Sequence, residues 1–168
     1  NESALGPSPK AVKSYSSIGK GFVRYPDSDG TFFRKVLAKK FRLKRDRIIL
    51  GSGSDQIFEL VCKLFLSKGD EVIVPEYSFI IYRIYSRMFG AKVRYAKEEN
   101  FKPSVQSILD QVSRKTKIVF LANPNNPTGT YLDKFEILKL RKKLRSNILL
   151  VIDDAYYEYI NDPNYLSG

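Results

Sequence analysis

The chain has 168 residues, enough for one domain with a real core, and its 43% hydrophobic and 13% aromatic content excludes a disordered composition. Lys and Arg number 29 against 18 Asp and Glu, a net charge of +11, but the bases are spread through "RKVLAKKFRLKRDR" and "KLRKKLRS", a pattern that reads as solvated helix faces rather than a nucleic-acid patch. The single cysteine, Cys62, lies in an apolar run as a core residue; it excludes a disulfide framework and fits a reducing cytoplasm, while the lack of any histidine removes His-based triads and most zinc sites.

In chain order, residues 1–30 hold Gly6, Pro7, Pro9, Gly19, Gly21, Pro26 and Gly30 and read as an extended arm, set apart from a domain over 31–168. "TFFRKVLAKKFR" (31–42) carries apolar positions at helical spacing. "RIIL" (47–50) reads as a short strand or strand-like lead-in, and "SDQIFELVCKLFL" (54–66) as a helix that Ser54 or Asp55 is placed to cap. Then come a strand "EVIVP" (71–75), a helix "SFIIYRIYSRMF" (78–89) stopped by Gly90, and a strand "KVRYA" (92–96). A helix "VQSILDQVS" (105–113), a strand "KIVFLA" (117–122), a helix "DKFEILKLRKKLRS" (133–146) and a strand "ILLVID" (148–153) complete the series. Strands alternate with helices and several strands are continuous apolar runs, so the expected fold is α/β: three layers, with a mostly parallel sheet flanked by helices. No apolar run is long enough to span a membrane, and no stretch of these residues reads as a signal peptide.

Ligands in such sheets sit at the carboxyl ends of strands. Four segments therefore carry the chemistry: "GSGSDQ", "PEYS", "NPNNPTG" and "DDAYYEY". Gly51 and Gly53 allow a tight turn into a helix whose free N–H groups suit an anion, phosphate above all. The same stretch, with Glu76 about twenty residues on, mimics a dinucleotide fingerprint, but Gln56 stands where the third glycine belongs. Asp153 closes an apolar strand, where a carboxylate needs a cation: a protonated cofactor ring nitrogen, a metal shared with Asp154, or a helix start. Tyr156, three residues on, can face the same way, and Tyr77 can stack on a flat ring or plug the core. Pro124, Pro127 and Gly129 stiffen a bracket that would hold the Asn126 amide against a cofactor.

"NPNNPTG", followed 24 residues after its glycine by "DDAY", resembles the fold-type I pyridoxal-phosphate aminotransferases. "NESALGPSPKA", "YPD", "GSGSDQIFEL" and "PEYSFIIY" narrow the resemblance to the histidinol-phosphate branch, with threonine-phosphate decarboxylases sharing several of these motifs. The resemblance covers essentially the whole chain. It implies pyridoxal 5′-phosphate as cofactor, with the N–H groups of Ser54 and Asp55 on its phosphate and Tyr77 stacked on its ring. It implies Asn126 and Tyr156 on the phenolic oxygen, Asp153 on the ring nitrogen, and Asn1 with "GPSP" bordering the substrate pocket. Tyr25 would reach the phosphate of the other subunit of a homodimer. The implied substrates are a small phosphorylated molecule, imidazole-acetol phosphate, with glutamate and 2-oxoglutarate as the amino-group pair, in cytoplasmic histidine biosynthesis. Asp154 stands where this branch usually has Glu.

The Schiff-base lysine of that family lies beyond the "DxAY" aspartate, and residues 154–168 contain no lysine; "SIGK" (17–20) lies on the wrong side of the other motifs. Together with a first residue that is Asn1 rather than methionine, this gives the expectation of an amino-terminal piece, unable to transaminate alone and prone to associate through an unpaired sheet edge. A non-catalytic remnant that only binds a partner chain is the rival from another class.

Overall fold

The computed structural model describes residues 5–168. These form two compact units that part between Leu50 and Gly51. In the first, the expected extended arm is instead partly helical: α1 spans Pro9–Ser16, a 3-10 turn spans Gly19–Val23, and α2 spans Thr31–Phe41. Pro9 sits in the first turn of α1, where its missing N–H costs nothing, so a residue that looks like a breaker starts a helix. Asp27 opens α2, its Oδ2 accepting from the Thr31 N–H at 2.7 Å and its Oδ1 from the Asp29 N–H at 3.1 Å. The bond from Thr31 outweighs partial desolvation and holds the Asp27 carboxyl below its usual range. Gly30 is required there, because its φ is 55° and a Cβ would meet Leu50 Cδ1 at 2.3 Å. Neither helix buries a residue. "RIIL" pairs with no strand; a 3-10 turn at Arg45–Arg47 leads into extended backbone instead.

The second unit is a three-layer sandwich. Helix α3 (Gly53–Phe65) leads to β1 (Glu71–Pro75), α4 (Ile80–Met88) and β2 (Lys92–Ala96). A small antiparallel pair, β3 (Glu98–Glu99) with β4 (Lys102–Pro103), precedes α5 (Val105–Asp110), β5 (Thr116–Ala122), α6 (Lys134–Lys143) and β6 (Leu149–Asp153). The main sheet runs β2-β1-β5-β6, parallel throughout. Side-chain parity sorts the core. Val72, Val74, Ile118, Phe120 and Ala122 face α3 and α4 with Phe58, Cys62 and Tyr82. Ile73, Val119 and Leu121 face the other side with Ile108, Ile137 and Leu140. Because Leu149 and Val151 pack with the first group, Asp153 at the end of the same strand belongs on the α3–α4 face. A capping box starts α6: Asp133 Oδ1 accepts from the Glu136 N–H, and Glu136 Oε2 accepts from the Asp133 N–H.

Every residue of β5 from Ile118 onward is buried, but β6 is only half-buried along its length, because it is an edge strand. A groove of about 760 Å³ runs beside it, lined by Phe65, Leu138, Leu150, Ile152 and Leu166 among others. Among the described residues, no helix is long and apolar enough to cross a membrane.

Candidate functional site

The chain builds β2 on one side of β1 and β5 on the other. That reversal opens a crevice at the carboxyl ends of β1 and β5, the general position for a ligand in an open parallel sheet. Tyr77 follows β1 and the "NPNNPTG" loop follows β5, and the two meet there: Asn125 Nδ2 donates to the Tyr77 carbonyl at 3.4 Å. The three asparagines divide the work. Asn123 is fully buried and grips the Leu132 peptide twice, Nδ2 to its carbonyl at 3.1 Å and Oδ1 from its N–H at 2.7 Å. Asn125, 3% exposed, ties the loop to Tyr77 and to Thr128 Oγ1 at 2.9 Å, with Gly129 N–H closing onto its carbonyl at 2.8 Å. Asn126 stays half-buried at the rim, between cis peptides at Asn123–Pro124 and Asn126–Pro127. The side chains of Asn123 and Asn125, which no local sequence signal marks, tie the loop to Leu132, Tyr77 and Thr128.

The Tyr77 ring is 46% exposed and lies 5.4 Å from the Phe101 ring, so it is no core plug. Its N–H donates to Glu98 Oε1 at 3.1 Å. Burial, with Glu76 adding repulsion, pushes the Glu98 carboxyl up against that bond.

Asp153 ends β6 opposite Ala122. Its Oδ2 accepts from the Tyr82 hydroxyl at 2.5 Å and its Oδ1 from the Ala155 N–H at 3.1 Å. Asp154 turns to different partners: Oδ1 accepts from the Tyr165 hydroxyl at 2.9 Å, and Oδ2 from Ser167 Oγ and the Gly168 N–H, each at 2.7 Å. Burial and Asp154 together push the Tyr165 phenol up. Asp153 and Asp154 thus have no hydrogen-bond partner in common, and no cluster of three metal-ligating side chains occurs among the described residues. Tyr156 is half-buried at the start of the 3-10 turn Tyr157–Tyr159.

The start of α3 corrects two expectations. No side chain caps it. Ser54 and Asp55 lie inside the first turn, where they cannot act as N-cap residues, and Asp55 Oδ2 accepts from the Tyr85 hydroxyl at 2.8 Å. Gln56, in the place of the third fingerprint glycine, accepts from the Ser52 N–H at 2.7 Å. With no strand at residues 48–50 leading into Gly51, and Gln56 in use as a turn brace, the dinucleotide fingerprint lacks two of its parts. The α3 start keeps backbone N–H groups and a helix dipole for an anion. Tyr25 belongs to the first unit, where it is 99% exposed; Asn1 lies outside the described residues.

Similarity in sequence and in fold defines the family. The chain matches the aminotransferase class I and II family over residues 1–166, and it belongs to that family. Among curated relatives, histidinol-phosphate aminotransferases of Pelagibacter ubique and Paramagnetospirillum magneticum are 54% and 42% identical over the whole chain. The chain spans about half the length of these relatives, 47% and 46%. Among solved structures, a histidinol-phosphate aminotransferase from Sinorhizobium meliloti in complex with pyridoxal-5′-phosphate shares the fold at TM-score 0.92 and 22% identity, over 98% of this chain and 45% of that one. The histidinol-phosphate aminotransferase of Clostridium acetobutylicum superposes at TM-score 0.84 and 26% identity, over 99% and 49%.

Proposed function

We propose that this chain is the cofactor-holding amino-terminal part of a pyridoxal-phosphate-dependent histidinol-phosphate aminotransferase, moving an amino group between glutamate and imidazole-acetol phosphate in cytoplasmic histidine biosynthesis. The observation that carries the reading is Asp153, a half-buried carboxylate fixed at the carboxyl edge of the sheet on the face of α3 and α4. The names of the relatives that match the whole chain support the choice of substrate.

The residues present fit the group. The uncapped start of α3, a helix of 13 residues, offers the N–H groups of Ser54 and Asp55 to its phosphate. The half-exposed Tyr77 ring has a face to stack on its ring. Asn126 and Tyr156, at the carboxyl edge, donate to its phenolic oxygen. Asp153 pairs with its protonated ring nitrogen, a pairing strengthened by partial burial. Pyridoxal phosphate, when bound, supplies an electron sink for the bonds at the substrate's α-carbon. Tyr25, exposed within its own unit, reaches the phosphate site of a second subunit in a homodimer. The part these residues would play is to bind and orient the group.

Calorimetric titration with pyridoxamine 5′-phosphate, which needs no lysine to bind, tests this. One molecule should bind per chain, unphosphorylated pyridoxamine should bind far more weakly, and Asp153→Asn should weaken binding by about ten-fold or more. Indifference to the phosphate, or to Asp153→Asn, overturns the reading.

A further inference from the structure

Tyr82 is fully buried, yet it ends in a hydroxyl. Its ring lies parallel to Phe120 at 5.0 Å and 3°, edge-on to Phe58 at 5.0 Å and 89°, and edge-on to Phe79 at 5.8 Å and 84°. A ring held from three sides has no rotameric freedom, so its hydroxyl occupies one place. That place is 2.5 Å from Asp153 Oδ2. Phenylalanine would fill the same space, and packing alone gives no reason for a buried hydroxyl, which must find a partner. The partner here is the carboxylate at the end of β6, whose other oxygen is held by the Ala155 N–H.

We propose that Tyr82 is a positioning residue for the cofactor: its hydroxyl, acting through Asp153 Oδ2, holds the carboxylate aimed at a cationic heteroaromatic ring nitrogen. The inference rests on the cofactor reading above. Two donors, one on each oxygen, still leave each oxygen a further lone pair for the ring N–H. A carboxylate held in line with the ring N–H stabilises the protonated ring nitrogen by its charge, and one that swings away does not. Burial first, then the charge of Asp153 and the bond to it, then Tyr156, push the Tyr82 phenol up, which keeps Tyr82 the donor. Asp153 and Tyr156 are the titratable groups that act on it; its other ring neighbours, Phe58, Phe79 and Phe120, are uncharged.

The test has two arms. Without cofactor, the ring-carbon NMR signal of Tyr82 is followed against pH in the wild type and in Asp153→Asn. Tyr82 should resist ionisation beyond the exposed tyrosines, and Asp153→Asn should bring its ionisation to lower pH; an unchanged titration overturns the positioning role. With pyridoxamine 5′-phosphate labelled with 15N in the ring, Tyr82→Phe should shift the bound nitrogen toward the unprotonated position and weaken binding about ten-fold. Tyr131→Phe, which removes another hydroxyl-to-carboxylate bond, to Asp162, should leave both unchanged and controls for general loss of structure. A bound nitrogen unaffected by Tyr82→Phe overturns the inference, whereas a wild-type chain that binds no pyridoxamine 5′-phosphate overturns the cofactor reading beneath it.

Discussion

The two units handle the same kind of residue in opposite ways. Residues 51–168 sort their apolar side chains by strand parity onto two faces of a sheet and bury them, as in Phe120, Ile118 and Leu121. In residues 5–50, Val12, Phe22, Phe32, Phe33 and Phe41 are as apolar, yet all are exposed and no helix there buries a residue. Helical spacing supplies an apolar stripe; only a sheet or a second layer within the same unit gives that stripe somewhere to go. The lesson is that periodicity predicts the element, while burial depends on what lies across from it.

The largest effect that could break this contrast is a pair of truncations. Phe120→Ala should cost about 3–5 kcal/mol in denaturant unfolding, by loss of burial and a cavity beneath Tyr82, whereas Phe33→Ala should change stability by less than about 0.5 kcal/mol. Equal costs would show that the first unit has a core of its own. Cys62 sharpens the contrast from inside the second unit. Burial pushes its thiol up to about 11, against a small opposing bond from Ser86. At pH 8 the thiolate is therefore scarce, roughly a hundred-fold below an ordinary cysteine, and a disulfide reagent should label Cys62 only on unfolding. Fast labelling of the native chain would contradict the packing of α3 on the sheet.

Smaller again is the start of α6. Asp133→Ala removes the capping box and should cost about 1 kcal/mol by thermal unfolding. The smallest effect lies at the amino edge of the sheet, where Glu71 accepts from Arg94 Nε at 2.7 Å, from Arg94 Nη2 at 2.9 Å and from Ser113 Oγ at 2.5 Å. The Arg94 guanidinium holds the Glu71 carboxyl below its usual range in the folded state, against the opposing pull of burial. On acidification the unfolded chain takes up this proton first. The stabilisation is thus complete above the ordinary glutamate value, near 4.3, and is lost as pH falls from there through the lower folded value. Melting temperatures measured from pH 6 down to pH 2.5 should fall less steeply in Glu71→Gln than in the wild type; parallel curves would contradict this linkage.

Much of the second unit was legible because its signals are local. The strand at 71–75, Gly90 with φ of 79° after α4, and the Asp133 start of α6 are each declared by residues within one turn of the feature. The first unit was misread at Pro9, because a proline at the first helical position looks like a breaker until the helix is seen. The β3–β4 pair was missed, being two residues per strand with Asn100 and Phe101 at positive φ, too short to show a period. At the site, the motif residues were visible but their supports were not. Tyr82 lies 71 residues from Asp153 and Asn125 lies 48 from Tyr77, and nothing local marks either pair. Parity along β6 places Asp153 on the side of α4, and a tyrosine on the buried face of "IIYRIY" was the signal that could have joined them.

The central claim is that a fixed carboxylate at position 153 answers a cationic ring. A crystal structure of this chain with pyridoxamine 5′-phosphate tests it most directly. The account predicts the ring nitrogen within about 3 Å of the Asp153 carboxylate, Tyr77 against the ring face and the phosphate at the start of α3. A ligand bound elsewhere, or bound there with Asp153 turned away from the ring nitrogen, would contradict it.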